Sequence, residues 1–191
     1  MPDKSPLGEG DSRQAVARFE DWADRHLESL YRLAYRLLGN GHDAEDVVQE
    51  TFRSAWASRQ FFDGRRSERA WLTTILRRRV ADHYRKRSRG EAPLGEAVHA
   101  ITAAPQADPF ADELSAAVQQ AVDRLPQELR ETLLLVVVGE LTHQEAADML
   151  GVPLGTVLSR VSRGRSRLRQ FLASSDAAGR NVDTPLPRGG R

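Results

Sequence analysis

The chain has 191 residues with 28 basic and 27 acidic side chains, so its net charge is +1 at neutral pH. It contains no cysteine, which excludes disulfides, thiolate metal ligands and a thiol nucleophile. No apolar run reaches the roughly 18 residues of a membrane-spanning helix. The first residues lack the apolar segment of a signal peptide, so the sequence predicts a soluble, cytoplasmic protein.

The charge is divided into blocks along the chain. Residues 59–91 carry 11 basic and 4 acidic side chains, residues 92–150 carry 2 and 10, and residues 151–172 carry 5 and none. A surface that is merely soluble usually mixes both signs. Two basic blocks separated by an acidic one therefore indicate two separate contacts with a polyanion.

The first quarter of the chain is predicted to be helical after a disordered start. Residues 1–12 are rich in Pro, Gly and charge and are expected to be disordered. Apolar residues at helical spacing predict one long helix over residues 13–38, or two with a bend near Arg25, and Gly39 ends it. Asp43 is expected to cap the next helix. Its first turns carry an acidic patch, which the helix macrodipole partly explains. The patch consists of Asp43, Glu45, Asp46, Gln49 and Glu50.

A loop with two adjacent aromatics leads into a basic helix. Phe61 and Phe62 are expected to anchor the loop on the core, although aromatics among arginines are also typical of a single-strand nucleic-acid site. The helix over residues 67–87 has an apolar stripe opposite several arginines, which suit a phosphate backbone. Arg79 and His83 fall within the stripe and need an acidic partner or the edge of the core.

The second half of the chain predicts a four-helix domain. Residues 88–111 are rich in small residues and prolines and predict a flexible linker. Two helices then cover about residues 112–139. Thr142 and Glu145 have capping-box spacing, Gly151 ends that helix, and Pro153 can begin the next. The last helix carries five arginines and no acid, and residues 173–191 are expected to be a disordered tail.

The last two helices form a helix-turn-helix pattern. Its second helix has the charge to enter a DNA major groove, although a plain helical hairpin with a solvated basic face has the same outline. The fold class is therefore all-α, with two small helical domains at residues 13–87 and 112–172. The five histidines are scattered, and there is no Gly-rich phosphate loop, so the sequence predicts no metal, no cofactor and no enzyme.

These stretches resemble two conserved regions of one protein family. The acidic helix and the basic helix resemble region two of the extracytoplasmic-function (ECF) branch of sigma-70-type sigma factors, through DAEDVVQETFRSAW, AWL and RRR. The C-terminal helices are similar to region four, through DRLPQELRETLLL and LTHQEAADMLGVPLGTVLSRVSRGRSRLR. The two motifs occur in the family's order and are joined by a short linker instead of a region-three domain.

The resemblance implies a transcription initiation factor that binds core RNA polymerase and promoter DNA and takes no small-molecule substrate. An anti-sigma factor is a common further partner in the family. The family's acidic helix, here Asp43 to Glu50, docks on polymerase. The minus-10 element is bound by the loop and the basic helix, which correspond to Arg59, Phe61, Phe62, Arg65, Arg66, Trp71, Arg77, Arg78 and Arg85. The minus-35 element is bound by positions matching Thr156, Leu158, Ser159, Arg160, Ser162 and Arg163.

Two departures and one rival interpretation accompany the resemblance. Leu158 stands where many relatives have Lys or Arg; it cannot donate a hydrogen bond, but it can contact a thymine methyl group. Gly164 stands where many have Ala, and a mid-helix Gly costs about 1 kcal/mol relative to Ala. The rival is a helix-turn-helix regulator of the response-regulator output type, which resembles residues 112–172 but leaves residues 43–87 unexplained.

Overall fold

The computed structural model describes residues 9–89 and 116–180. Over these two ranges the chain forms seven α-helices and one short 3-10 turn, with no strand. The all-α fold and its division into two helical units are therefore confirmed. The predictions for residues 1–8, 181–191 and most of the linker, residues 90–115, lie outside the described residues.

The first unit consists of three helices. They are α1 (Glu9–Leu38), α2 (Gly41–Ser58) and α3 (Glu68–Ser88), with a 3-10 turn at Arg59–Phe61. α1 is a single helix that begins before the predicted residue 13, and Gly39 follows it with a left-handed φ of +72°. The predicted cap of α2 is wrong. Asn40, not Asp43, is the cap, and its side-chain oxygen accepts from the Asp43 backbone N–H at 3.1 Å.

The second unit contains the helix-turn-helix. Its helices are α4 (Ala116–Asp123), α5 (Gln127–Val137), α6 (His143–Leu150) and α7 (Leu154–Arg180). The predicted capping box is present, since Thr142 Oγ1 accepts from the Glu145 N–H and the Glu145 carboxylate accepts from the Thr142 N–H. Gly151 ends α6 at a φ of +66°. α7 continues beyond the predicted end at residue 172.

The two units share an apolar core, a contact that the sequence did not predict. Leu30 and Leu33 of α1 belong to the same buried cluster as Leu134 and Leu135 of α5. The backbone approaches closely at Gly139. A Cβ placed there would lie 2.7 Å from the Leu135 carbonyl oxygen and 3.2 Å from Leu33 Cδ2. Only a glycine fits this position without displacing its neighbours.

Four polar contacts surround the shared core. Arg36 donates to Gln119 Oε1 at 2.7 Å and Arg77 donates to Glu131 Oε1 at 2.6 Å. The other two contacts are Arg69 with Glu140 and Ser67 with Glu145.

Two of the acids in these contacts have an unusual property: Glu140 has a left-handed backbone conformation, and Glu145 has a lowered pKa. Glu140 has a φ of +52°, the only positive φ outside glycine among the described residues, and its carboxylate pairs with Arg69. A left-handed conformation costs a non-glycine residue about 1–2 kcal/mol, which this contact helps to offset. Burial would raise the pKa of Glu145, but hydrogen bonds from Ser67 and Thr142 outweigh it and lower that pKa. These hydrogen bonds therefore stabilise the charged form of the Glu145 carboxyl.

Two glycines should respond in opposite directions to alanine. A Cβ at Gly164 would lie 3.5 Å from Leu133 Cδ2, an ordinary contact, and alanine favours the helix. Gly164→Ala should raise the free energy of unfolding by about 0.5–1 kcal/mol. Gly139→Ala should lower it, because the Leu135 carbonyl cannot move without disturbing α5. Urea denaturation followed by circular dichroism measures both.

The matched control is Gly155→Ala in the first turn of α7, where an added Cβ has no neighbour within 4 Å. It should not lower the free energy of unfolding, because the added Cβ meets no other atom. A Gly139→Ala protein as stable as the parent would show that the turn after α5 is less tightly packed than described.

Candidate polymerase and nucleic-acid interfaces

The acidic patch on α2 divides into two environments. Glu45, Asp46 and Gln49 are exposed, and Glu50 is half-buried. The Asp43 side chain is only 13 % exposed, with its Oδ2 atom 3.5 Å from His83 Nε2 and 3.8 Å from Arg87 Nη1. Asp43 therefore fastens the start of α2 to the end of α3. A partner protein can reach the other four residues without breaking that contact.

The two polar residues inside the apolar stripe of α3 both contact acids, as predicted. His83 pairs with Asp43. Arg79 donates to Ser54 Oγ at 2.8 Å and lies 3.3 Å from Asp82 and 4.0 Å from Glu50. These contacts place the guanidinium of Arg79 in the groove between α2 and α3, where all of its partners belong to the first unit.

The two aromatics of the loop have different roles. Phe62 is half-buried, with its ring centroid 4.9 Å from that of Trp22 and 5.2 Å from that of Trp71. It anchors the loop, as predicted. Phe61 is 74 % exposed, so the same prediction is wrong for it. Arg59 stacks over the Trp56 ring at 3.8 Å. Phe61 is thus the aromatic whose faces remain available to a nucleobase.

The basic residues around the loop and α3 are also unequal. Arg65, Arg66 and Arg78 are exposed, and Arg78 has no ion pair within the described ranges. Arg77 is half-buried and donates to Glu131 of the other unit. Arg85 is exposed but pairs with Asp82 one turn away. Arg78 and Arg85 are seven residues apart and share a face of α3.

The second helix of the helix-turn-helix exposes most of the predicted residues. Val157 and Val161 face the core, whereas Leu158, Ser159, Ser162 and Arg163 are exposed and Thr156 is half-buried. Arg163 folds back on its own helix, where it donates to the Ser159 carbonyl at 3.2 Å and to Ser159 Oγ at 3.1 Å. A binding partner at Arg163 has only to displace contacts within one helical turn.

Arg160 is the exception on this helix. Its side chain is 17 % exposed and donates to Glu128 of α5 at 2.8 Å. Residues 151–172 contain no acid, but α5 places a carboxylate next to this arginine. Glu128 and Glu131 are one turn apart on that helix, and they pair with Arg160 and Arg77 respectively. Sequence reasoning missed both acids, although both lie in the acidic block between the two basic ones.

The described residues meet the requirements of neither a metal site nor a membrane-spanning helix. No group of their His, Asp and Glu side chains is arranged to hold a metal ion. None of the helices described is long and apolar enough to cross a membrane.

Comparison with known families places both units. Residues 22–90 match Sigma-70 region 2, and residues 115–168 match Sigma-70 region 4. Together with its relatives, these matches decide the family. The chain is an ECF-type member of the sigma-70 family. The rival interpretation as a response-regulator output domain is not favoured, because it leaves the region 2 match without a counterpart.

Individual relatives are similar in sequence to this sigma factor along most of its length. It is 33% identical over 166 residues to the ECF RNA polymerase sigma factor SigW of Bacillus subtilis, covering 81% of this chain and 88% of the relative. It is 37% identical over 172 residues to the ECF sigma factor SigE of Mycolicibacterium smegmatis, covering 86% of this chain and 66% of the relative. Among solved structures, the sigma factor RpoE of Bartonella quintana, crystallised with the anti-sigma factor NepR, gives a TM-score of 0.67. It is 30% identical, and the match covers 82% of this chain and 97% of that one.

The acids of α5 should compete with DNA in the free sigma factor. Glu131→Gln removes the partner of Arg77 and should raise the affinity of the full chain for a pre-melted minus-10 bubble about two- to fivefold, the range of a partly exposed ion pair. Glu128→Gln releases Arg160 and should instead raise affinity for duplex DNA. Fluorescence anisotropy at one fixed salt concentration measures both.

Each variant is the control for the other, since both remove one negative charge from the same helix. An equal gain in affinity for both DNAs would mean that only the net charge of the chain matters. The individual ion pairs would then have no specific effect on DNA binding.

Proposed function

We propose that this sigma factor binds core RNA polymerase in the cytoplasm and directs it to promoters with minus-10 and minus-35 elements, where it aids DNA melting. It catalyses no reaction itself and needs no cofactor. The observation that carries this proposal is the distribution of its surfaces. An exposed acidic patch and an exposed basic loop lie on the unit that matches region 2, and a basic helix-turn-helix lies on the unit that matches region 4.

The polymerase-binding surface is the α2 patch without Asp43. Glu45, Asp46, Gln49 and Glu50 present carboxylate and amide groups along one helix, and such a surface suits a basic partner. Asp43 contributes indirectly, because its contacts with His83 and Arg87 hold α2 in place.

The minus-10 surface is the loop together with the adjoining part of α3. Phe61 offers a ring for stacking on an unpaired base, and Arg65, Arg66 and Arg78 supply positive charge near it. Phe62 and Trp71 act as positioning residues, since their mutual packing with Trp22 fixes the loop. Arg77 joins this surface once Glu131 has moved away, and Arg59 and Arg85 lie at its border.

The minus-35 surface is the start of α7. Leu158, Ser159, Ser162 and Arg163 are exposed there, Thr156 is at the edge, and Arg160 becomes available when Glu128 releases it. Two domains at residues 13–87 and 112–172, with a linker at 88–111, would let these surfaces bind two separate promoter elements. The B. quintana relative was solved with an anti-sigma factor, and we propose a partner of that type for this chain as well.

The division of the α2 patch can be tested by charge reversal. Asp46→Lys combined with Glu50→Lys should weaken co-purification with core RNA polymerase at least tenfold while helicity is retained. Asp43→Asn should lower the free energy of unfolding by up to about 1 kcal/mol, because it removes the charge that His83 and Arg87 contact.

The control is Asp24→Lys, which reverses an exposed carboxylate on α1. It should leave polymerase binding unchanged. If the Asp46/Glu50 variant co-purifies with core RNA polymerase as well as the parent does, the acidic patch is not part of the polymerase interface.

The two basic surfaces should fail at different steps of initiation. Arg163→Ala should cost about 1–3 kcal/mol if the guanidinium contacts a base, and should change preference within the minus-35 element. Arg78→Ala should leave that preference unchanged and impair opening of the minus-10 element. A template with a pre-melted minus-10 bubble should therefore rescue Arg78→Ala more than Arg163→Ala.

Abortive transcription from duplex and bubble templates, run in parallel at one salt concentration, gives the comparison. If the bubble rescues both variants to the same extent, the two surfaces do not divide the work in this way.

A further inference from the structure

Two leucines are exposed at the start of the recognition helix α7. Leu154 is 40 % exposed and Leu158 is 48 % exposed, although the same helix buries Val157 and Val161 completely or nearly so. Leucine is a residue that folding normally removes from water. Neither side chain belongs to the core that contains Val157 and Val161.

The leucines form one continuous ridge. Residues four apart on an α-helix are separated by about 6 Å along the axis and by about 40° around it. Leu154 and Leu158 therefore lie side by side. Arg165 and Arg169, both exposed, continue the same side of the helix within about 60° of them. The two leucines are thus followed, two turns further along the helix, by two arginines.

The charge around the ridge identifies what can cover it. Arg165 and Arg169 are exposed and lie on this side of α7, so a partner at this surface has to be negative. It must also present apolar groups to two side chains that can neither donate nor accept a hydrogen bond. Duplex DNA meets both conditions, because phosphates flank a major groove in which thymine exposes its C5-methyl group.

We propose that Leu154 and Leu158 recognise thymine methyl groups in the minus-35 element. The inference rests on the proposed function. It adds that the part of the minus-35 surface formed by these leucines prefers thymine. Base pairs are spaced about 3.4 Å apart, so two leucines about 6 Å apart reach methyl groups on neighbouring or next-but-one base pairs. Leu154 lies outside the set of minus-35 residues predicted from the sequence.

The test removes the methyl group from the DNA instead of changing the protein. A minus-35 element is first selected from random duplexes with the full chain bound to core RNA polymerase. Each thymine of the selected element is then replaced singly by deoxyuridine, which differs only in the methyl group. We expect one or two positions at which the unaltered sigma factor loses about two- to fourfold in affinity, the scale of one methyl group partly removed from water.

Protein variants then assign each position to a side chain. Leu154→Ala and Leu158→Ala should each abolish the deoxyuridine effect at one position. Both residues are exposed, so neither variant should disturb the fold. Val137→Ala on α5 is the matched control, since it shortens an apolar side chain that is 49 % exposed outside α7 and should leave the pattern intact.

Several results would overturn the inference. A selected element without thymine, deoxyuridine substitutions that have no effect, or effects that persist in the Leu154/Leu158 double variant would each show that the ridge has another occupant. These results leave the proposed function standing. Failure of the polymerase-bound chain to select any sequence would instead remove the proposed function, and the inference with it.

Discussion

The packing of α5 against the first unit is the interaction on which the described arrangement depends. Leu134 and Leu135 lie in the same buried cluster as Leu30 and Leu33, and each is at most 3 % exposed. Burial of one leucine contributes about 1.5–3 kcal/mol. A partly exposed ion pair contributes about 0–1 kcal/mol, so the polar contacts around the cluster are secondary. They fix how the units are oriented, while the leucines hold them together.

Helix α5 also places negative charge beside both of the surfaces that are proposed to bind DNA. Glu131 contacts Arg77 of the region 2 unit, and Glu128 contacts Arg160 of the helix-turn-helix. Both pairs use guanidiniums of the surfaces proposed to bind DNA, so under that proposal DNA and α5 compete for the same groups. The near-zero net charge of the whole chain is therefore a sum of blocks that neutralise one another locally. Its value says little about how strongly each surface attracts DNA once the pairs are open.

Local sequence signals predicted local structure well. The capping box of Thr142 and Glu145 and the left-handed Gly151 depend on residues within one turn, so spacing alone identified them. The roles of Phe61 and Phe62 could not be separated in this way. Their difference comes from Trp22, which lies on another helix and contacts only one of the two rings. Asn40 is the cap instead of Asp43 because α2 already begins at Gly41, which leaves Asp43 inside the first turn.

The contact between the units did leave a trace in the sequence, in the run of apolar residues over 133–138. A surface helix has one apolar stripe, whereas a helix that is apolar on several sides is buried on several sides. In the structure Leu133 packs within the helix-turn-helix core, while Leu134 and Leu135 turn away from it into the shared core. A run of this kind can suggest a buried strand when it is read alone. Within a chain whose other elements are all helical, it indicates a helix that requires a second partner, and here α1 is that partner.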